Sequence, residues 1–176
     1  MKEIKERLIL IGFTASGKTT QGKALAEVLN LLVFDTDEIF IRKNIYTPRE
    51  YVDRYGLPAF RLEEHKIIKS LPLSSVIISI GGGALENIDN YVYLQRKSII
   101  IYLEPSFFVL ENRLLAHKNL PYFLQGAVNQ RKQLRKVYQQ RKKAYEAIAD
   151  MRIIFDDGDI DKNTQKLLSR LNQYGK

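Results

Sequence analysis

The sequence predicts an α/β domain, with a parallel sheet covered by helices on both faces. Three observations point there. Short apolar runs alternate with amphipathic stretches along the whole chain, the pattern of repeated strand–helix units. The apolar runs are nearly continuous, as strands buried on both faces are. The first run leads straight into Gly12-Phe13-Thr14-Ala15-Ser16-Gly17-Lys18-Thr19, which fits the phosphate-loop pattern G-x-x-x-x-G-K-[ST] between a strand and a helix.

In chain order, the strands are expected at Leu8–Ile11, Leu31–Phe34, Val76–Ile80, Ile99–Leu103 and Ile153–Phe155. Helical segments are expected at Thr19–Asn30, Thr36–Asn44, Pro48–Tyr55, Pro58–Lys69, Pro105–Leu115, Val128–Ala149 and Lys162–Tyr174. No repeat, low-complexity segment or Pro/Gly/Ser linker divides residues 1–176, so one domain is expected. Tyr46–Tyr55 and Leu115–Val128 are less regular, which marks residues 46–57 and 115–128 as candidate mobile regions.

Hydrophobic residues make up 45% and charged residues 27%, enough apolar material for a core and too much for disorder. The chain has no Cys, which excludes disulfides and thiolate metal sites. Arg7 interrupts the N-terminus before any long apolar run, and Ile99–Leu103 is strand-sized, so a soluble cytoplasmic protein is expected, away from membranes. The net charge of +8 is densest at Arg131, Lys132, Arg135, Lys136, Arg141, Lys142 and Lys143. A solvated helix face accounts for most of these. Nucleic acid is not an expected partner, because no recognition motif or stacking-aromatic pattern accompanies the charge.

The phosphate loop implies a bound nucleotide. Its glycines let backbone N–H groups curl round phosphate oxygens, and the following helix N-terminus adds a favourable dipole. Lys18 suits the outer phosphates and the Thr19 hydroxyl suits Mg²⁺. Asp35-Thr36-Asp37 closes the second strand. A carboxylate there can help hold Mg²⁺, and another can take the proton of an attacking hydroxyl. Asp35 or Thr36 can equally cap the next helix. Gly81-Gly82-Gly83 ends the third strand, where a ligand can approach the backbone closely. Ser79, just before, is a candidate for holding the metal's water.

Two arginines face inward. Arg141 lies on the stripe Leu134, Val137, Tyr138, Arg141, Tyr145 and Ile148. A buried guanidinium needs an anion. Asp150 or Glu146 can serve, and so can a substrate carboxylate, which the guanidinium fork fits bidentately. Arg61 follows Phe60 near a helix start with Glu64 three residues on, a local pair that leaves donors for a ligand.

Together, GFTASGKT at Gly12–Thr19, DTD at Asp35–Asp37, FRLEE at Phe60–Glu64, GGGA at Gly81–Ala84 and the late Arg141-x-x-x-Tyr145-x-x-x-Ala149-Asp150 resemble shikimate kinases along nearly the whole chain. The resemblance implies a three-layer α/β/α fold of the P-loop kinase type, with a five-stranded parallel sheet. It implies phosphorylation of the 3-hydroxyl of shikimate by Mg-ATP, in aromatic amino-acid (chorismate) biosynthesis. Carried over residue by residue, it implies that Ala15, Ser16, Gly17, Lys18, Thr19, Thr20 and Arg113 bind ATP, with Arg113 near adenine. Thr19 and Asp35 serve Mg²⁺. Asp37 orients the substrate and acts as base, with Lys18 also catalytic. Arg61 and Arg141 clamp the carboxylate, and Gly82 and Gly83 give backbone contacts. A monomer is expected.

The chain departs from that pattern in places. Ala15 replaces a usual Gly, Leu57-Pro58 a usual acidic residue, and Phe40 a usual Glu. The family's Arg-Pro-Leu-Leu lid reads Leu120-Pro121-Tyr122-Phe123 here. Lys118, Arg131 and Lys132 are candidates to replace the lid Arg. Asp156-Asp157-Gly158 stands where the family offers basic or Pro contacts to adenine. Two alternatives follow: another small-molecule kinase, of the gluconate kinase type, or a non-catalytic nucleotide-binding relative.

Overall fold

The computed structural model describes residues 5–116, 120–155 and 158–174. Five strands, β1 (Arg7–Ile11), β2 (Leu32–Asp35), β3 (Val76–Ser79), β4 (Ser98–Glu104) and β5 (Met151–Ile154), form one sheet in the order β2-β3-β1-β4-β5. Every pairing is parallel. Among the described residues, eight α-helices connect and cover them: α1 (Lys18–Leu29), α2 (Thr36–Asn44), α3 (Pro48–Tyr55), α4 (Leu57–Ser70), α5 (Ile88–Leu94), α6 (Phe107–Ala116), α7 (Gln130–Ile148) and α8 (Ile160–Tyr174).

The period-2 alternation of a strand divides the core into two layers. Leu8 and Leu10 of β1 point to one face with Ile77, Ile101 and Leu103, where Leu25 of α1 and Leu167 of α8 cover them. Ile9 and Ile11 point to the other with Ile78, Ile100 and Tyr102, beneath Ile68, Leu110, Leu134 and Tyr138. Both faces of β1 are therefore dry, which is why Arg7–Ile11 reads as an unbroken buried run. A third cluster, Phe40, Phe60 and Ile67, makes a small lobe of α2, α3 and α4 beside the sheet.

The sequence boundaries hold within a few residues, and the one helix not expected has a clear cause. Helix α5 was not foreseen, because IDNYVYL is short and carries no clean apolar stripe; Asn87 starts it by accepting from the Asp89 N–H at 2.9 Å. Residues 48–55, expected as a helix inside a less regular stretch, form that helix. Thr47 accepts from the Glu50 N–H at 3.3 Å while the Glu50 carboxylate accepts from the Thr47 N–H at 2.8 Å, a reciprocal capping box ahead of Pro48. No helix among the described residues is long and apolar enough to cross a membrane.

Candidate active site

The C-terminal ends of β1, β2 and β3 open into a cleft of about 530 Å³ lined by residues from the phosphate loop, the small lobe and the stretch Leu120–Phe123. This is the side of a parallel sheet where ligands bind.

The loop after β1 is shaped by close approach. A Cβ at Gly12 would lie 2.6 Å from the Leu103 carbonyl oxygen and 2.8 Å from Ser16 Oγ, so only glycine fits. Gly17 has φ 87°, and Ala15 takes the left-handed φ of 65° where a side chain is strained. Lys18 is buried, and its ammonium donates to the carbonyls of Gly12 at 3.0 Å and Phe13 at 2.8 Å. Burial lowers its pKa to about 8 against the pull of Asp37 and Asp35. Arg113 reaches the same loop, donating to the Ala15 carbonyl at 3.0 Å.

Asp35 takes the capping role weighed for it and also meets Thr19. Its Oδ1 caps α2 by accepting from the Asp37 and Glu38 N–H groups at 2.9 and 3.2 Å. Its Oδ2 accepts from the Thr19 hydroxyl at 2.5 Å. Thr36, buried beside it, accepts from the Gly81 N–H at 2.9 Å and ties β2 to the glycine triplet. Ser79 is opposite Asp35 in the register of the neighbouring strand. The Asp37 carboxylate opens onto the cleft but lies deep among protein atoms. Burial and then the Asp35 charge push its pKa up to about 6. Thr19 and Asp35 together offer hard oxygen donors at a helix N-terminus, a set that fits Mg²⁺ bridged to nucleotide phosphates.

Across the cleft, Arg61 and Arg141 converge. Arg61 donates to Glu64 at 2.7 Å, the local pair foreseen from spacing, and burial pushes the Glu64 carboxyl up to about 7 despite that pairing. Arg141 pairs with neither Asp150 nor Glu146, which corrects that expectation. Asp150 accepts from the Ile100 N–H at 2.7 Å, and Glu146 turns toward Lys142 and Arg152. The partner of Arg141 is Glu86, at 2.8 Å, which also meets Arg61 at 2.7 Å. The Tyr122 hydroxyl accepts from Arg61 at 2.8 Å and from Arg141 at 3.3 Å. A Cβ on Gly83 would sit 2.8 Å from Arg141 Nη2 and closer still to Arg61 Nη2. Gly82 abuts Thr14 of the phosphate loop, and its carbonyl accepts from the Tyr145 hydroxyl.

The family model for shikimate kinase matches residues 14–172. A shikimate kinase of Bacillus cytotoxicus is 31% identical over 165 residues, 94% of this chain and 98% of its own. One from Haemophilus influenzae is 32% identical over 154 residues, 87% of this chain and 85% of its own. The chain belongs to the shikimate kinase family. The structure of shikimate kinase from Acinetobacter baumannii in complex with shikimate superposes with a TM-score of 0.89 at 28% identity, covering 97% of this chain and 95% of that one.

The stretch Leu120–Phe123, expected to stand as the lid, lines the cleft and brings no cation to it. Arg131 and Lys132 are exposed on the first turn of α7 and do not line it. Lys118, Asp156 and Asp157 lie outside the described residues. The arginine that does line the cleft, besides Arg61 and Arg141, is Arg49 of α3, within 3.7 Å of Asp53. Glu86 and Arg49 escaped sequence reading, and Thr14 and Tyr122 were read only as parts of the phosphate loop and the lid stretch. Only Arg49 carried a signal, as a cation in the first turn of a capped helix, and that signal was generic.

Helix α7 holds Arg141 firmly. Glu104, at the end of β4, accepts from Lys142 at 2.6 Å and from Arg152. Tyr138 packs its ring edgewise on Phe13 at 5.5 Å, and the Arg141 guanidinium stacks over Phe123 at 4.9 Å.

Proposed function

We propose that the chain transfers the γ-phosphate of ATP to the 3-hydroxyl of shikimate, as a cytoplasmic monomer in aromatic amino-acid (chorismate) biosynthesis. The observation that carries this reading is the joint lining of one cleft: Asp37, Arg61, Gly82, Gly83 and Arg141 around the space that Thr14 of the phosphate loop also borders.

In this reading, N–H groups of Ala15 to Thr20 hold the phosphate oxygens. Lys18 exchanges its carbonyl partners for the outer phosphates, and Arg113 lies along the adenine. Arg61 and Arg141 take the shikimate carboxylate and aim the 3-hydroxyl at phosphorus. Its oxygen forms the new P–O bond, the bond from phosphorus to the β–γ bridging oxygen breaks, and ADP leaves. The hydroxyl proton passes to Asp37. Mg²⁺ held by Thr19 and, through water, by Asp35 would neutralise charge on the phosphates.

A second reading, a nucleotide-binding relative without turnover, is favoured by the cation-free lid stretch. One coupled assay separates them. ADP release from Mg-ATP should depend on shikimate at ordinary kinase rates. Shikimate binding without release supports the second reading, and absence of both removes shikimate as the acceptor.

A further inference from the structure

Two arginines converging on one cleft would ordinarily leave an open seat for an anion. Here the seat is taken by the chain itself. Glu86 Oε1 accepts from Arg141 Nε at 2.8 Å and lies 2.8 Å from Nη2, while Oε2 accepts from Arg61 Nη2 at 2.7 Å. One carboxylate bridges both guanidinium groups, as an acid ligand would.

The partners differ in how firmly they are held. The side chains of Arg141 and Arg61 are 7% and 18% exposed, whereas that of Glu86 is 49% exposed. Glu86 ends the short 3-10 turn Ala84–Glu86 just after the glycine triplet, so its side chain can turn to solvent without moving a long helix. Arg61 keeps the buried Glu64 when Glu86 leaves. Arg141 pairs with no other carboxylate among the described residues. Burial opposes the Arg141 charge, so the unliganded site needs an anion there, and Glu86 supplies it.

We infer that Glu86 is a specificity-determining residue, an internal carboxylate that occupies the arginine pair until an acid substrate displaces it. The inference rests on the shikimate kinase reading above. It sets a condition on ligands. An acid must evict Glu86 or lie beside a like charge, while a neutral ligand leaves Glu86 where it is. Removing the Glu86 charge should therefore favour only ligands that carry a carboxylate.

Calorimetric titration of the whole chain tests this, with shikimate and its neutral carboxamide analogue as probes. Glu86→Gln keeps the size of the side chain and an acceptor oxygen for Arg141 but removes the charge. Shikimate should bind it about tenfold more tightly than wild type, a change of ~1.4 kcal/mol, while the carboxamide affinity stays level. Glu86→Ser, which removes the bridge altogether, should move the two probes in the same directions. Unchanged or weaker shikimate binding in the variants overturns the inference, since Glu86 would then serve to aim the arginines. Equal tightening of both probes also overturns it, as a mere widening of the cleft. If wild type turns over shikimate but the variants bind it no better, this inference alone falls. If neither wild type nor variants bind shikimate, the functional reading falls with it.

Discussion

The Asp35 side chain accepts a hydrogen bond from the backbone N–H of Asp37 at 2.9 Å, so the cap that starts α2 also fixes two carboxylates at the end of one strand. Burial, and after it the charge of Asp35, lifts Asp37 to about 6, while burial lowers Lys18 to about 8. A base must be unprotonated and a phosphate-binding lysine protonated. Thus kcat/KM, which reports the unliganded enzyme, should rise with pH through about 6 and fall through about 8. Asp35→Asn removes the like charge and should move the acidic limb to lower pH while lowering the rate. A limb that stays in place would mean that burial alone sets the Asp37 value.

Asp37→Asn should reduce kcat by roughly 10²–10⁴, the usual worth of a positioned base, and leave Mg-ATP binding nearly intact. It should also alter stability in a pH-dependent way. A raised carboxyl pKa means that the folded chain prefers the proton, so Asp37 costs stability progressively as pH rises from 3.8 to about 6, and the full cost remains above that. The melting temperature of Asp37→Asn should exceed that of wild type at pH 8 and match it more closely at pH 5. Loss of activity without the pH-dependent gain would place Asp37 outside the crowded cleft floor.

Gly83 makes room for both guanidinium groups. In Gly83→Ala the new methyl would stand 2.8 Å from Arg141 Nη2 and 3.0 Å from Arg61 Nη1. The arginines must shift, because Gly83 opens a 3-10 turn on fixed backbone. The KM for shikimate should rise at least about tenfold, or ~1.4 kcal/mol, with KM for ATP little changed. A parallel rise in both would locate the damage in the phosphate loop.

What the sequence made legible follows the range of each interaction. The strands β1 and β4 are readable because burial on both faces leaves the unbroken apolar runs Leu8–Ile11 and Ile99–Leu103. The phosphate loop is readable because its contacts lie within eight consecutive residues, Gly12 to Thr19. Arg61 with Glu64 is readable as neighbours three apart on a helix. Glu86 is separated from Arg61 by 25 residues and from Arg141 by 55, and no local pattern foretells that meeting. Arg141 was legible as a cation needing an anion, while the identity of that anion depended on how α7 packs over the glycine triplet. Helix α5 escaped because its N-cap and tertiary contacts, rather than an apolar stripe, hold it.

Leu120 lines the cleft at the place where the family resemblance puts an arginine, and this position brings no cation to the cleft. A positioned arginine at a transferring phosphate is worth roughly 10³–10⁵ in rate in favourable systems, because it meets charge that spreads over the equatorial oxygens as the bond to the leaving group stretches. Leu120→Arg should therefore raise kcat at least about tenfold, the lower end allowing for a lid not shaped to aim it. Binding of shikimate should change much less, since the arginines proposed to clamp it lie on α4 and α7. Arg49, on α3 beside this stretch, lines the same cleft and bears on the same question. If Leu120→Arg leaves kcat level while Arg49→Ala lowers it, the small lobe already provides the charge that the lid lacks. Steady-state kinetics on the two single variants and the double variant decide between these outcomes, because two cations serving one phosphate should not act additively.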